Sequence, residues 1–262
     1  MLSNWDHRST RLGLLGSCLA SRRPGILLAV KRLDPLPAAP ASVVFLLDVD
    51  NTLLDNDRVT EDLREHLTRD FGATRQKRYW AIFERLRGDL GYADYLGALQ
   101  AYRAENPRDP HMLRMSSYLL EYPFAERLFP GALDVIRRLS QRGPAVILSD
   151  GDAVFQPRKV ERSGLYDAVE GRVLIYIHKE HELDDVERRF PARRYVLVDD
   201  KPRILSAVKS SWGSRLTTVF VRQGHYARGP GLIPAHPPPD VALERIGDLL
   251  QIDPDALAGG DI

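Results

Sequence analysis

The sequence predicts an α/β fold: a doubly wound, Rossmann-like parallel sheet interrupted by an all-helical insertion. Three observations predict it. Apolar runs such as Val43–Leu47 are continuous rather than alternating, which suits a parallel strand covered on both faces. From about residue 122 onward such runs alternate with amphipathic helical patterns, as in repeated βαβ units. Between residues 58 and 121 the apolar period is helical throughout, and nothing reads as a strand.

The first strand, Val43–Leu47, is followed by Asp48, Asp50, Asn51 and Thr52. Val59, Leu63, Leu67 and Phe71 then recur every fourth residue, behind an acidic first turn. Tyr79, Phe83, Leu86 and Leu90 mark a second helix, and Tyr95, Leu96, Leu99 and Tyr102 a third, which Asn106-Pro107 ends. A shorter helix spans about 111–121. This aromatic stripe reads as helical core. Beyond it a helix is expected at 131–141, then a strand at Ala145–Leu148 ending in Ser149-Asp150-Gly151-Asp152. A helix to about Arg162, a strand at Val173–Ile177 and a helix at 180–190 follow. The strand Tyr195–Val198 ends in Asp199-Asp200-Lys201-Pro202, where the proline opens a helix. Thr217–Val221 is the last clear strand, and a Gly/Pro-rich loop at 229–239 precedes a closing strand edge and helix within 241–250.

Length and composition narrow the function. A chain of 262 residues can bury one large core with an inserted module. Net charge is +1 with both signs interspersed, so no global field recruits nucleic acid or a membrane surface. No apolar run approaches the roughly 20 residues that span a bilayer. The single cysteine, Cys18, excludes an intramolecular disulfide and fits a reducing compartment, so a cytoplasmic location is expected. Residues 1–40 lack a clear period and end in Pro35, Pro37 and Pro40, so they are expected to form a poorly ordered, dispensable arm.

Asp48 and Asp50 stand at the C-terminal edge of the first strand, where open α/β sheets bind ligands. Two carboxylates so close repel by roughly 4 kcal/mol at 4 Å and an effective dielectric near 20, so the pair calls for a cation or a shared proton. Asp48-x-Asp50-x-Thr52 after an apolar strand resembles the first motif of the haloacid dehalogenase superfamily. Ser149, Lys179 and Asp199-Asp200 match its second, third and fourth motifs, in order and each near a predicted strand end. The resemblance covers about residues 43–250. It implies a core of residues 41–57 and 122–262, with 58–121 as a type 1 helical cap.

The chemistry that the resemblance implies is phosphoryl transfer from a small phosphorylated metabolite. Asp48 is the expected nucleophile, forming an aspartyl-phosphate, and Asp50 the general acid and base. Ser149 and Lys179 hold phosphate oxygens. Mg²⁺ is expected on Asp48, the Asp50 carbonyl, Asp199 and Asp200. The alternatives on this fold are a phosphomutase, a hydrolytic dehalogenase and a non-catalytic binding protein. Asp50 argues against dehalogenation, which needs no acid there.

Some positions depart from the pattern. Asn51 stands where most relatives carry Gly, and Arg203 where many carry another Asp. Asp150 and Asp152 add carboxylates beside the expected phosphate site. Tyr92, Tyr95, Arg58, Arg78, His225 and Tyr226 are candidate substrate contacts. Among the lysines, Lys179 is expected to carry the phosphate-facing charge. Lys159, ten residues past Ser149, is expected roughly 10–15 Å from the strand edge and out of reach. Pro202 is expected to turn Lys201 outward.

Overall fold

The computed structural model describes residues 39–225 and 236–259. The arm at 1–40, apart from its last two residues, lies outside them, as do Tyr226 and most of the Gly/Pro-rich loop.

Six strands form one parallel sheet: β1 Ala41–Leu47, β2 Ala145–Asp150, β3 Val173–Tyr176, β4 Ala192–Asp199, β5 Leu216–Val221 and β6 Val241–Leu243. Their order is β3-β2-β1-β4-β5-β6. From the central strand β1 the sheet winds outward in both directions, so β1 and β4 end side by side at the switch point. Alternate residues of β1 face two separate apolar layers. Val43, Phe45 and Leu47 join one, which includes Val135, Ile136, Val160, Leu165, Ile246 and Leu257. Those side chains come from α5 Ala132–Ser140, α6 Phe155–Arg162, α7 Leu165–Ala168, a 3₁₀ turn at Ile246–Gln251 and α10 Pro254–Leu257. Val44 and Leu46 join the other layer, with Leu183 and Val186 of α8 Leu183–Arg189 and Ile204, Leu205 and Val208 of α9 Pro202–Trp212.

Four helices lie between β1 and α5: α1 Asn56–Phe71, α2 Ala73–Leu90, α3 Tyr95–Glu105 and α4 Met112–Glu121. Val59, Leu63, Leu67 and Phe71 are all buried, as their spacing predicts. Tyr79, Phe83, Tyr95 and Tyr102 are buried among the helices, while Leu90 is exposed. Asp55 caps α1 by accepting a hydrogen bond from the Arg58 amide, and Asp94 caps α3 through Gly97.

Several boundaries differ from the sequence reading. β4 begins at Ala192, because Ala41 and Val43 of β1 pair with Ala192 and Arg194 while the two arginines stay exposed. Backbone pairing does not require apolar side chains. β2 extends through Ser149 and Asp150, which pair with Ile175 and Tyr176. Lys179 opens a 3₁₀ turn, Lys179–His181, and α8 starts only at Leu183.

Candidate active site

Asp48 follows the last residue of β1, and its amide donates to the Val198 carbonyl at 3.0 Å, fixing it beside the end of β4. A tight turn then brings the Thr52, Leu53 and Leu54 amides to the Val49 carbonyl. Within it Asn51 has φ 60°, in the left-handed region that glycine adopts most readily. Here the Asn side chain offsets the strain. Its Oδ1 accepts from the Asn56 and Asp57 amides, and its Nδ2 donates to Asp57. A Cβ on Gly224 would lie 2.5 Å from the Asn51 Cβ, so only glycine allows that approach.

Lys179 is fully buried. Its ammonium donates to Asp48 Oδ1 at 2.6 Å and to the Leu148 carbonyl at 3.2 Å, and lies 2.6 Å from Asp199 Oδ2. Asp48 Oδ2 accepts from Thr52 Oγ1 at 3.1 Å. Burial pushes the Asp48 carboxyl up, but the Lys179 and Lys201 charges and these hydrogen bonds outweigh it and hold it below the usual range. Lys179 is displaced the other way. Burial works against its charge, and Asp199, Asp48 and Asp150 together keep it charged far above the ordinary lysine range.

Asp48, Asp199 and Asp200 are buried, and each offers an oxygen within 4.8 Å of the others. Burial, against the pull of Lys179, pushes Asp199 up to about 6, and burial with the charges of Asp199 and Asp48 pushes Asp200 well above the usual range. Neither buried oxygen of Asp200 has a hydrogen-bond partner among the described residues. Orphaned carboxylate oxygens beside two further carboxylates form a hard donor set of the kind that Mg²⁺ accepts. These residues fit the cation.

Ser149 is buried at the end of β2, and its Oγ accepts from Gln156 Nε2 at 2.9 Å. The Asp150 side chain is tied to the backbone, with its Oδ1 accepting from the Lys179 amide at 2.8 Å. Asp152 accepts from the Val154 and Phe155 amides where α6 begins. Both extra carboxylates therefore serve local backbone. Arg203 points away to pair with Glu180.

Two lysines correct the sequence reading. Lys159 does reach the site: its buried ammonium donates to Asp50 Oδ1 at 2.6 Å and to Asn56 Oδ1 at 2.9 Å. The distance expected from Ser149 assumed a helix starting there, whereas α6 starts at Phe155. Lys159 thus stands only one turn into the helix, and helical side chains lean back towards the N-terminus. Lys201 is not turned outward either. It lines the same cavity as Asp50, and the charges of Asp48, Asp199 and Asp200 outweigh its burial and raise its affinity for the proton.

That cavity, of about 390 Å³, lies between the strand edge and the helical segment. Asp50, Asp150, Gly151, Lys159 and Lys201 line it from the sheet side, and Thr60, Arg64, Trp80, Phe83, Tyr92 and Tyr95 from the helices. Asp48 and Lys179 are buried and do not line it. Of the candidate substrate contacts, Tyr92, Tyr95 and His225 line it, whereas Arg58 pairs with Asp62 and Arg78 with Glu105. Sequence reasoning missed Arg64, Trp80 and Gln156. Trp80 directly follows Tyr79 of the core stripe, and that adjacency was the available signal.

A sequence model of the haloacid dehalogenase-like hydrolases matches residues 43–217. A haloacid dehalogenase-like hydrolase from Burkholderia xenovorans LB400 is 66% identical, with a TM-score of 0.78, over 82% of this chain and 100% of its own. The chain belongs to the haloacid dehalogenase-like hydrolases. Two more distant structures share the fold of this hydrolase. The HAD-hydrolase YfnB from Bacillus subtilis, bound to magnesium, is 17% identical with a TM-score of 0.52, over 80% of this chain and 98% of its own. The L-2-haloacid dehalogenase from Xanthobacter autotrophicus is 18% identical with a TM-score of 0.53, over 79% and 96%. Among curated proteins none matches the hydrolase. Its described helices include none long and apolar enough to cross a membrane.

Proposed function

We propose that this hydrolase is a Mg²⁺-dependent phosphatase of small phosphate monoesters, working through an aspartyl-phosphate on Asp48. The observation that carries the reading is Asp50. It lies two residues beyond the buried Asp48, on the cavity side, and its carboxylate is held by Lys159. A dehalogenase needs the nucleophile but has no use for a second acid placed to protonate an alcohol.

The residues divide the work as follows. Lys179 keeps Asp48 ionised and therefore nucleophilic, and offers positive charge beside the transferring group. Ser149, whose oxygen Gln156 already orients, donates to a phosphate oxygen. Asp50 gives a proton to the departing alcohol, then takes one from the water that cleaves the aspartyl-phosphate. Asp48, Asp199 and Asp200 would hold the Mg²⁺, which supplies charge neutralisation to the phosphate when bound. Asp48 is only 1% exposed, so substrate access requires motion of the cavity floor or the helices above it. Interdomain movement is described for the magnesium-bound B. subtilis protein. A helical cover over a cavity of this size suits a small metabolite.

The test is a panel of phosphate esters and 2-haloacids assayed with Mg²⁺, reading released phosphate, halide and rearranged product. Phosphate release is expected, abolished in Asp48→Asn. In Asp50→Asn the loss should be greatest for esters with poor leaving groups, which most need the proton. Halide release with no phosphate release would overturn the reading, and an isomerised phosphate ester would make the protein a mutase.

A further inference from the structure

Helix α1 presents Asn56, Asp57, Thr60, Glu61 and Arg64 to the cavity, spaced so that they share one face. The first of these, Asn56, accepts from the same Lys159 ammonium that holds Asp50, so this end of α1 marks the reacting centre. Arg64 stands eight residues further along, about 12 Å at 1.5 Å per residue. Its guanidinium carbon lies 4.4 Å from the centre of the Trp80 ring, which also lines the cavity.

Of the three carboxylates that line the cavity on its helical side, two have partners of their own and one is exposed. Glu84 pairs with Arg87 at 2.9 Å, Asp57 with His225 at 2.6 Å, and Glu61 is exposed. Arg64 makes no ion pair among the described residues. Its Nε and the Trp80 Nε1 are both buried donors without an acceptor there. Unsatisfied buried donors are uncommon, and two at one place on a cavity wall ask for an acceptor. A guanidinium held over an aromatic ring loses freedom in advance and can take a carboxylate by two parallel hydrogen bonds.

We infer that Arg64, backed by Trp80, binds a carboxylate at the end of the substrate remote from the phosphate. This deepens the phosphatase reading of the same site and rests on it. The substrate class is a phosphate monoester of a hydroxy acid whose carboxylate and phosphate stand on the order of 10 Å apart. A three-carbon acid is too short to reach both anchors, whereas an extended acid of sugar length spans them within 390 Å³.

Titration calorimetry with Mg²⁺ present tests this without turnover. The probes are phosphonoalkanoic acids carrying two to six methylenes between phosphonate and carboxylate, the matching primary amides, and inorganic phosphate. For the longer chains the acid should bind at least tenfold more tightly than the amide. Arg64→Met should erase that difference and leave the amides and phosphate unchanged. Arg64→Lys, which keeps the charge and loses the fork, should retain only part of it. Equal affinity for acid and amide in the wild type would overturn the inference, as would an Arg64→Met variant that weakens both alike. If no phosphonate and no phosphate binds at all, the phosphatase reading itself falls and takes the subsite with it.

Discussion

Lys159 joins Asp50 to Asn56 with one buried ammonium, so the expected acid is fixed in the same step that fixes the first turn of α1. A hydrogen bond between charged groups is worth about 1.5–3 kcal/mol, and 1.4 kcal/mol is tenfold in rate. Lys159→Met is therefore expected to lower kcat roughly 10- to 100-fold. The loss should be larger for poor leaving groups than for a nitrophenyl ester, and Lys159→Arg should restore part of it. A uniform loss across leaving groups would show that Lys159 acts on the fold and not through Asp50. Lys179→Met should be the more damaging change, because it removes the partner of both Asp48 and Asp199.

At the scale of elements, the helical segment is tied by Asp109, which lies between α3 and α4. Its side chain is 5% exposed and accepts from Tyr102, Arg75 and both the amide and the ring of His111. One carboxylate thus links α2, α3 and the residue before α4. Burial alone would raise the Asp109 carboxyl, but these hydrogen bonds outweigh it and hold it far below the usual range. A carboxylate depressed on folding contributes stability above its unfolded value, about 3.9, and loses it as the pH falls towards the folded one. Asp109→Ala is expected to cost about 2 kcal/mol at pH 7. Urea melts of both proteins should converge as the pH is lowered from 5 towards 2. A gap that stays constant over that range would exclude the ionised Asp109 as its source.

For the molecule as a whole, the Mg²⁺ proposed for the acidic triad would act as a folding ligand. A site filled to a hundred times its dissociation constant stabilises the native state by about 2.7 kcal/mol. For a chain of this size that raises Tm by roughly 5–10 °C. Asp200→Asn should lose that response. It should also melt at or above the wild type without Mg²⁺, because it removes a buried carboxyl that Asp199 and Asp48 disfavour. A wild-type melt indifferent to Mg²⁺ would exclude the triad as a tight cation site. Scanning calorimetry with and without chelator measures both.

The order of strands and helices could be read from the sequence, because continuous and four-residue apolar periods report burial directly. So could the placing of Asp48, Asp50, Ser149, Lys179, Asp199 and Asp200 at or beside strand ends, because an apolar run announces each end. Which charged side chains turn into the cavity was decided only by tertiary structure. Lys159 and Lys201 point inward, Arg58, Arg78 and Arg203 pair at the surface, and Arg64 stacks on Trp80. No local period records these directions. A long charged side chain takes the partner that folding brings to it, and that partner can lie far along the chain, 109 residues away for Lys159 and Asp50.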